Sequence, residues 1–212
     1  MLASYSDLKT GITSWLDVSA SDLSSQIDDL VTLAETRIFR ETRTQVMETA
    51  FSGAITNGTI ATPAGYLALK NAYIVGNPTQ RLERRSVEWI YDNFPNRSSD
   101  TRPRYIAREG SNFIFGPYAD SAYTVTGVYY QKPAAISSAV NALFTTNPDL
   151  YLFACLAESE PLIGRDPRVA LWEAKYKNIL ADVNGIDDAE DQSGSGLQIR
   201  AAAGQNSFRI RR

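Results

Sequence analysis

The sequence predicts an α+β protein: a helical bundle of two N-terminal and two C-terminal helices, an inserted antiparallel β domain, and an extended C-terminal tail. Three observations predict it. Apolar residues recur at helical spacing from Ser4 to about Thr44 and again from Asn147. Between them the pattern shortens to strand-like runs cut by turn signals such as Asn57-Gly58 and Gly76-Asn77-Pro78. After Gln192 the chain turns to Ser-Gly-Ser-Gly and an irregular basic stretch. The expected boundaries are 1–46 with 146–191 for the bundle, 47–145 for the β domain and 192–212 for the extension. Neither helical pair can bury its apolar stripe alone, so both pack into one body.

The first helix is expected over Ser4–Leu16. Ser4 caps it, and Asp7 sits near the positive end of the helix dipole. Tyr5, Leu8, Ile12, Trp15 and Leu16 fall on one face. Ser19 or Ser21 starts a second helix, with Leu23, Ile27, Leu30, Val31, Ala34 and Ile38 in register to about Thr44. The short connection makes the two antiparallel neighbours.

The β region opens with Glu48–Ala61, which reads as a hairpin around Asn57-Gly58. Leu69–Val75 is a strand and Arg81–Arg85 a short one. Ser86 caps one or two helical turns that stop at Phe94-Pro95. Three more strands follow, Arg104–Arg108, Asn112–Phe115 and Ala122–Gln131. In the last, Tyr123, Val125, Gly127 and Tyr129 share one face. Short strands with frequent turns predict a small antiparallel sandwich or barrel.

Helix returns at Asn147-Pro148-Asp149, which supplies a cap, a proline at the first position and an acid in the first turn. This third helix should run to about Ile163, break at Gly164-Arg165 and restart at Asp166-Pro167. Leu171, Ala174, Tyr176, Ile179, Leu180 and Val183 are the apolar positions of the fourth.

Composition narrows the chemistry. The chain has one cysteine and no histidine. No internal disulfide can form, and the commonest general base and metal ligand is missing. Ser-His and Cys-His nucleophile pairs are excluded. Glu158 and Glu160 stand two apart and face different sides of a helix, a poor acid–base pair; a solvated face or a helix–helix ion pair is the expected role. Cys155 lies among Leu150, Phe153, Ala154 and Leu156 and reads as a small core hydrophobe. No phosphate-binding glycine pattern occurs. No enzymatic activity and no cofactor are expected. The chain holds no apolar run of membrane-spanning length and opens with no secretory signal pattern, so no membrane partner and maturation in the cytosol are expected.

Charge is unevenly spread. From Gln192 on there are four arginines, Arg200, Arg209, Arg211 and Arg212, and no acid, leaving 17 basic and 24 acidic residues before it. A net acidic body with a basic end suggests an arm that reaches elsewhere. A second basic region, Arg81 to Arg108, holds seven arginines against four acids, with Tyr91, Phe94 and Tyr105 interleaved. Basic grooves lined with aromatics bind single-stranded nucleic acid, and a nucleic-acid-binding module is the alternative function. Contacts with other subunits or with a tail protein through Arg81, Arg84, Arg85 and Arg104 are favoured, because arginine and tyrosine are enriched at interfaces.

Blocks along the chain resemble the head-to-tail adaptor (connector) proteins of tailed bacteriophages, of the tail tubular protein A type. They are Ser4–Lys9 with Trp15-Leu16, Ile27–Ile38, Met47-Glu48-Thr49, Pro63–Leu67, Pro103-Arg104-Tyr105 with Phe115-Gly116-Pro117, Asn147–Leu152, and Leu171–Tyr176. Their joint order covers roughly residues 4–190. The resemblance implies a structural virion protein of the neck or tail, assembled from the host cytoplasm. It implies a homo-oligomeric ring, typically of twelve subunits, between the portal protein and a tail or nozzle protein, with DNA passing through during ejection without specific binding. It also implies a C-terminal segment that docks on the portal. Here that portal-binding arm would use Arg200, Phe208, Arg209, Ile210, Arg211 and Arg212. An acidic body suits a lumen that must not retain DNA by counterion release.

Overall fold

A computed structural model describes residues 2–17, 20–98, 100–163 and 166–192. The elements in chain order are α1 (Tyr5–Leu16), α2 (Ala20–Glu41), β1 (Glu48–Ala54), β2 (Thr59–Ala61), β3 (Tyr66–Ile74), β4 (Gln80–Arg81), β5 (Glu83–Arg84) and α3 (Val87–Asn93). Then come β6 (Tyr105–Glu109), β7 (Asn112–Gly116), β8 (Thr124–Gln131), α4 (Ala142–Thr146), α5 (Pro148–Ala157), α6 (Glu160–Ile163) and α7 (Arg168–Gln192). The protein is mixed α+β.

Ser4 caps α1 as its sequence position predicts, its Oγ accepting the Asp7 N–H at 3.1 Å. Leu8, Ile12 and Leu16 of α1 and Ile27, Leu30, Val31, Ala34 and Ile38 of α2 are buried in one core. The centre of that core is α5, which packs against α1, α2 and α7. It buries Leu150, Tyr151, Leu152, Ala154, Cys155 and Leu156, so it is apolar on nearly every side, as an interior helix must be. Cys155 is fully buried, and burial pushes its thiol far up, which keeps it protonated and inert.

Two four-stranded sheets form the middle of the chain, in the orders β1-β8-β3-β4 and β2-β7-β6-β5. They enclose a second core, with Leu69, Ile74, Val125 and Tyr129 from one sheet and Ile106, Phe113 and Phe115 from the other. Along β8 the alternation holds, with Val125, Gly127 and Tyr129 turned inward and buried. Gly127 is glycine because a β-carbon there would run into the Asn71 carbonyl oxygen and stand 2.7 Å from the Phe51 ring. Outside the second sheet, α3 places Ile90 against Ala107 and Ile114.

Six features differ from the sequence reading. The Asn57-Gly58 turn forms, with φ of 50° and 70°, but β1 and β2 diverge beyond it into different sheets. Ile60 packs into the sandwich core, and that burial outweighs hairpin pairing. Arg81–Arg85 is split for the same reason: Leu82 is buried between sheets, with β4 in one and β5 in the other. The β5–β6 pair is parallel, whereas all the other pairs are antiparallel. A helix was not expected at Ala142–Thr146; Asn141 caps it through Oδ1, which accepts the Phe144 N–H at 2.8 Å. Finally, the third helix is divided into α5 and α6, and Leu171 of α7 faces outward while Trp172 and Tyr176 are buried.

The segment from β8 to α4 is fastened to α2 by Glu35. This carboxylate is buried, and its Oε1 accepts the Ile136 N–H at 2.8 Å. Burial raises its pKa above the ordinary 4.5, against the opposing pull of that hydrogen bond and of Lys132. A raised carboxyl pKa means the folded state holds its proton to higher pH than the unfolded one. Stability from this site therefore falls as pH rises through the window above 4.5. Glu35→Gln keeps an acceptor for Ile136 and should be at least as stable as the parent at neutral pH, the gap closing towards pH 4.5. Glu35→Ala leaves a buried N–H unpaired and should be less stable at every pH. Chemical denaturation at neutral and acid pH separates the two.

Candidate functional site

The parallel β5–β6 pair sets the geometry of the arginine-rich region. Glu83 aligns with Tyr105 and Arg84 with Ile106. The Glu83 N–H reaches the Arg104 carbonyl at 2.9 Å, and the Arg85 N–H reaches that of Ile106 at 3.0 Å. Arg84, Arg85 and Arg104 are thereby gathered at one edge of the second sheet, while Arg81 stands at the β4 edge of the first. All four are exposed.

Their guanidinium groups are not equivalent. Arg84 donates to the Leu69 carbonyl at 2.8 Å and ties the two sheets together. Arg85 pairs with Glu83 at 2.9 Å and lies over the rings of Trp89 at 5.1 Å and Tyr105 at 5.6 Å. The side chains of Arg81 and Arg104 make no ion pair or hydrogen bond with another described residue. A cleft of about 340 Å³ opens beside this edge, lined by Lys70, Asn71, Arg81, Glu83 and Arg84 among others. Arg81 and Arg104 are the two positions best placed to meet a partner.

The remaining arginines of the region are committed within the fold. Arg97 donates to the Phe115 carbonyl at 2.8 Å and lies over both Tyr91 and Tyr118. Arg102 reaches the Pro78 carbonyl at 3.1 Å, and Arg108 lies over Tyr66 at 4.8 Å. The aromatic residues are likewise occupied. Phe94 stacks on Tyr105 at 5.8 Å, and Trp89 meets Tyr105 edge-on at 4.7 Å. Base stacking requires an open ring face, so this arrangement favours a protein partner over a single-stranded nucleic acid.

A second surface lies on the helical body. Trp15 is 44% exposed and packs edge-on against Phe153, while Leu33 and Leu171 are more than half exposed. Lys175 lies over Phe153, and Arg168 lies over Trp172 and donates to the Trp15 carbonyl at 3.3 Å. Trp15, Phe153 and Leu171, which lies between Arg168 and Lys175 on α7, thus expose apolar surface on one side of the helical body. Sequence reasoning placed Trp15 and Leu171 on the buried stripes.

Among the described residues, no group of three or more carboxylates and thiols is placed to hold a metal ion, and no helix is long and apolar enough to cross a membrane. The expected arm residues Arg200, Phe208, Arg209, Ile210, Arg211 and Arg212 lie outside the described residues.

A search of curated proteins finds no match. A model of the SU10 adaptor protein family matches residues 3–200, nearly the whole chain. The chain belongs to the SU10 adaptor protein family, a family of bacteriophage head-to-tail adaptors.

Proposed function

We propose that the protein is the ring subunit that joins the portal to the tail, with twelve copies enclosing the channel through which DNA leaves the head. The observation that carries this reading is the pairing of two unlike surfaces on one chain. The arginine edge of Arg81 and Arg104 and the aromatic patch of Trp15, Phe153 and Leu171 suit a head-to-tail contact, which closes into a ring when the rotation permits. In this reading residues 1–46 and 146–191 form the body, 47–145 form an inserted domain that meets neighbouring subunits or the tail, and 192–212 dock on the portal. DNA passes without specific binding, since 17 bases against 24 acids before the tail offer it little net attraction.

Mixing the purified chain with its portal and weighing the product tests the ring. A closed complex with one ring of adaptors per portal is expected, and no complex under any assembly condition overturns the reading. The arm is tested by removing residues 193–212, all beyond α7. The denaturation midpoint should stay within about 0.5 kcal/mol of the parent, as for a change outside the packed structure. Portal affinity should fall at least about tenfold, or roughly 1.4 kcal/mol. Undiminished affinity removes the arm from the interface.

A further inference from the structure

We propose that the free edge of β1 accepts a β-strand, and that the strand is the chain's own C-terminus, Ser207–Arg212. The inference concerns the unassembled chain and stands apart from portal binding.

Three of the four sheet edges are short: β4 and β5 have two residues each and β2 has three. The fourth, β1, runs for seven residues, and among the described residues β8 is the only strand paired with it. Its register with β8 runs unbroken from Glu48↔Tyr130 to Ala54↔Thr124, so no bulge bends it away. Every second residue of such an outer strand directs its N–H and C=O off the sheet. Edges are normally blunted by lysine, proline, a bulge or brevity. Thr49–Ala54 has none of these: it reads Thr-Ala-Phe-Ser-Gly-Ala. The one charge of β1, Glu48, is held by Lys70 at 2.6 Å. Phe51 is only half-buried, its ring 5.9 Å from Phe113 and 6.2 Å from Tyr129, which leaves one side open to an added apolar neighbour.

The C-terminus has the matching pattern. Phe208, Arg209, Ile210 and Arg211 alternate apolar and charged, so an extended backbone puts Phe208 and Ile210 on one face and the arginines on the other. The tether is long enough. Asn184 of α7 donates to the Glu41 carbonyl at 3.2 Å, which places α7 beside the end of α2. From Asn184 to the end of α7 at Gln192 is ~12 Å. From Glu41 to the start of β1 at Glu48 is at most ~25 Å. Residues 193–206 can span ~46 Å when extended. A linker that reaches its site gives an effective concentration on the order of millimolar, well above that of a second copy in dilute solution. The strand covers β1 in the free subunit.

Amide hydrogen exchange on the full chain tests this. Alternate amides of Thr49–Ala54 should be protected in the full chain and exchange about tenfold faster once Ser207–Arg212 is removed, with β8 unchanged. Ile210→Pro, which removes one N–H and breaks the strand, should act like the truncation. Arg209→Gln with Arg211→Gln should leave protection in place. Equal exchange with and without Ser207–Arg212 overturns the proposal. So does loss of protection in the glutamine variant alone, which would make the contact one of charge. Protection that disappears on dilution would assign the edge to a second copy and overturn the own-chain assignment.

Discussion

Tyr151→Ala should cost about 3–5 kcal/mol, the range for removing a large aromatic ring from a packed core. Tyr151 is fully buried on the interior helix α5, and its ring meets Phe144 edge-on at 5.2 Å. The lost ring leaves a cavity bounded by α4 and α5, and four helices lean on the latter. Tyr151 also has a polar task. Its hydroxyl donates to Asn141 Oδ1 at 3.1 Å, while Asn141 caps α4 and donates from Nδ2 to the Ala134 carbonyl at 2.8 Å. Tyr151→Phe keeps the ring and drops only that hydrogen bond, for about 1 kcal/mol. Urea denaturation of both variants checks the pair. Near-equal losses would mean that the hydroxyl network, not the packing of the ring, holds α4 to α5.

The helices were legible where local rules govern. Ser4 and Ser86 cap the helices that their positions announce, and the α1 and α2 stripes point inward as their spacing requires. The β8 alternation was legible for the same reason, since period two and burial on one face are the same fact. What failed depended on distant partners. Asn57-Gly58 makes the turn it promises, yet the fate of β1 was decided by β8, some seventy residues on in sequence. Tyr151 escaped notice because an interior helix has no polar face to set a period against. At the candidate contact edge, sequence located the arginines but could not rank them. Only the fold shows Arg84 and Arg85 engaged and Arg81 and Arg104 outward.

Arg37→Met should be the most damaging loss of a charge, about 2–3 kcal/mol, between the small worth of exposed pairs and the 3–5 kcal/mol of fully buried ones. The Arg37 guanidinium reaches Glu158 at 2.9 Å, Glu173 at 2.7 Å and Glu41 at 3.5 Å, and lies 4.4 Å from the centre of the Tyr176 ring. One cation thus links α2, the residue that closes α5, and α7. Its removal leaves three carboxylates facing one another. Arg37→Lys should recover only part of the loss, because an ammonium lacks the fork that serves Glu158 and Glu173 together. The pH dependence gives a second reading. Arg37 and, less strongly, Lys177 hold the Glu173 carboxyl below its ordinary 4.5. A depressed carboxyl pKa contributes stability that is present above the unfolded value and lost as pH falls through the folded one. The deficit of Arg37→Met should therefore be full at neutral pH and shrink below pH 4.5. A deficit of the same size at acid pH would mean that the arginine acts through its packing on Tyr176 and not through its charge.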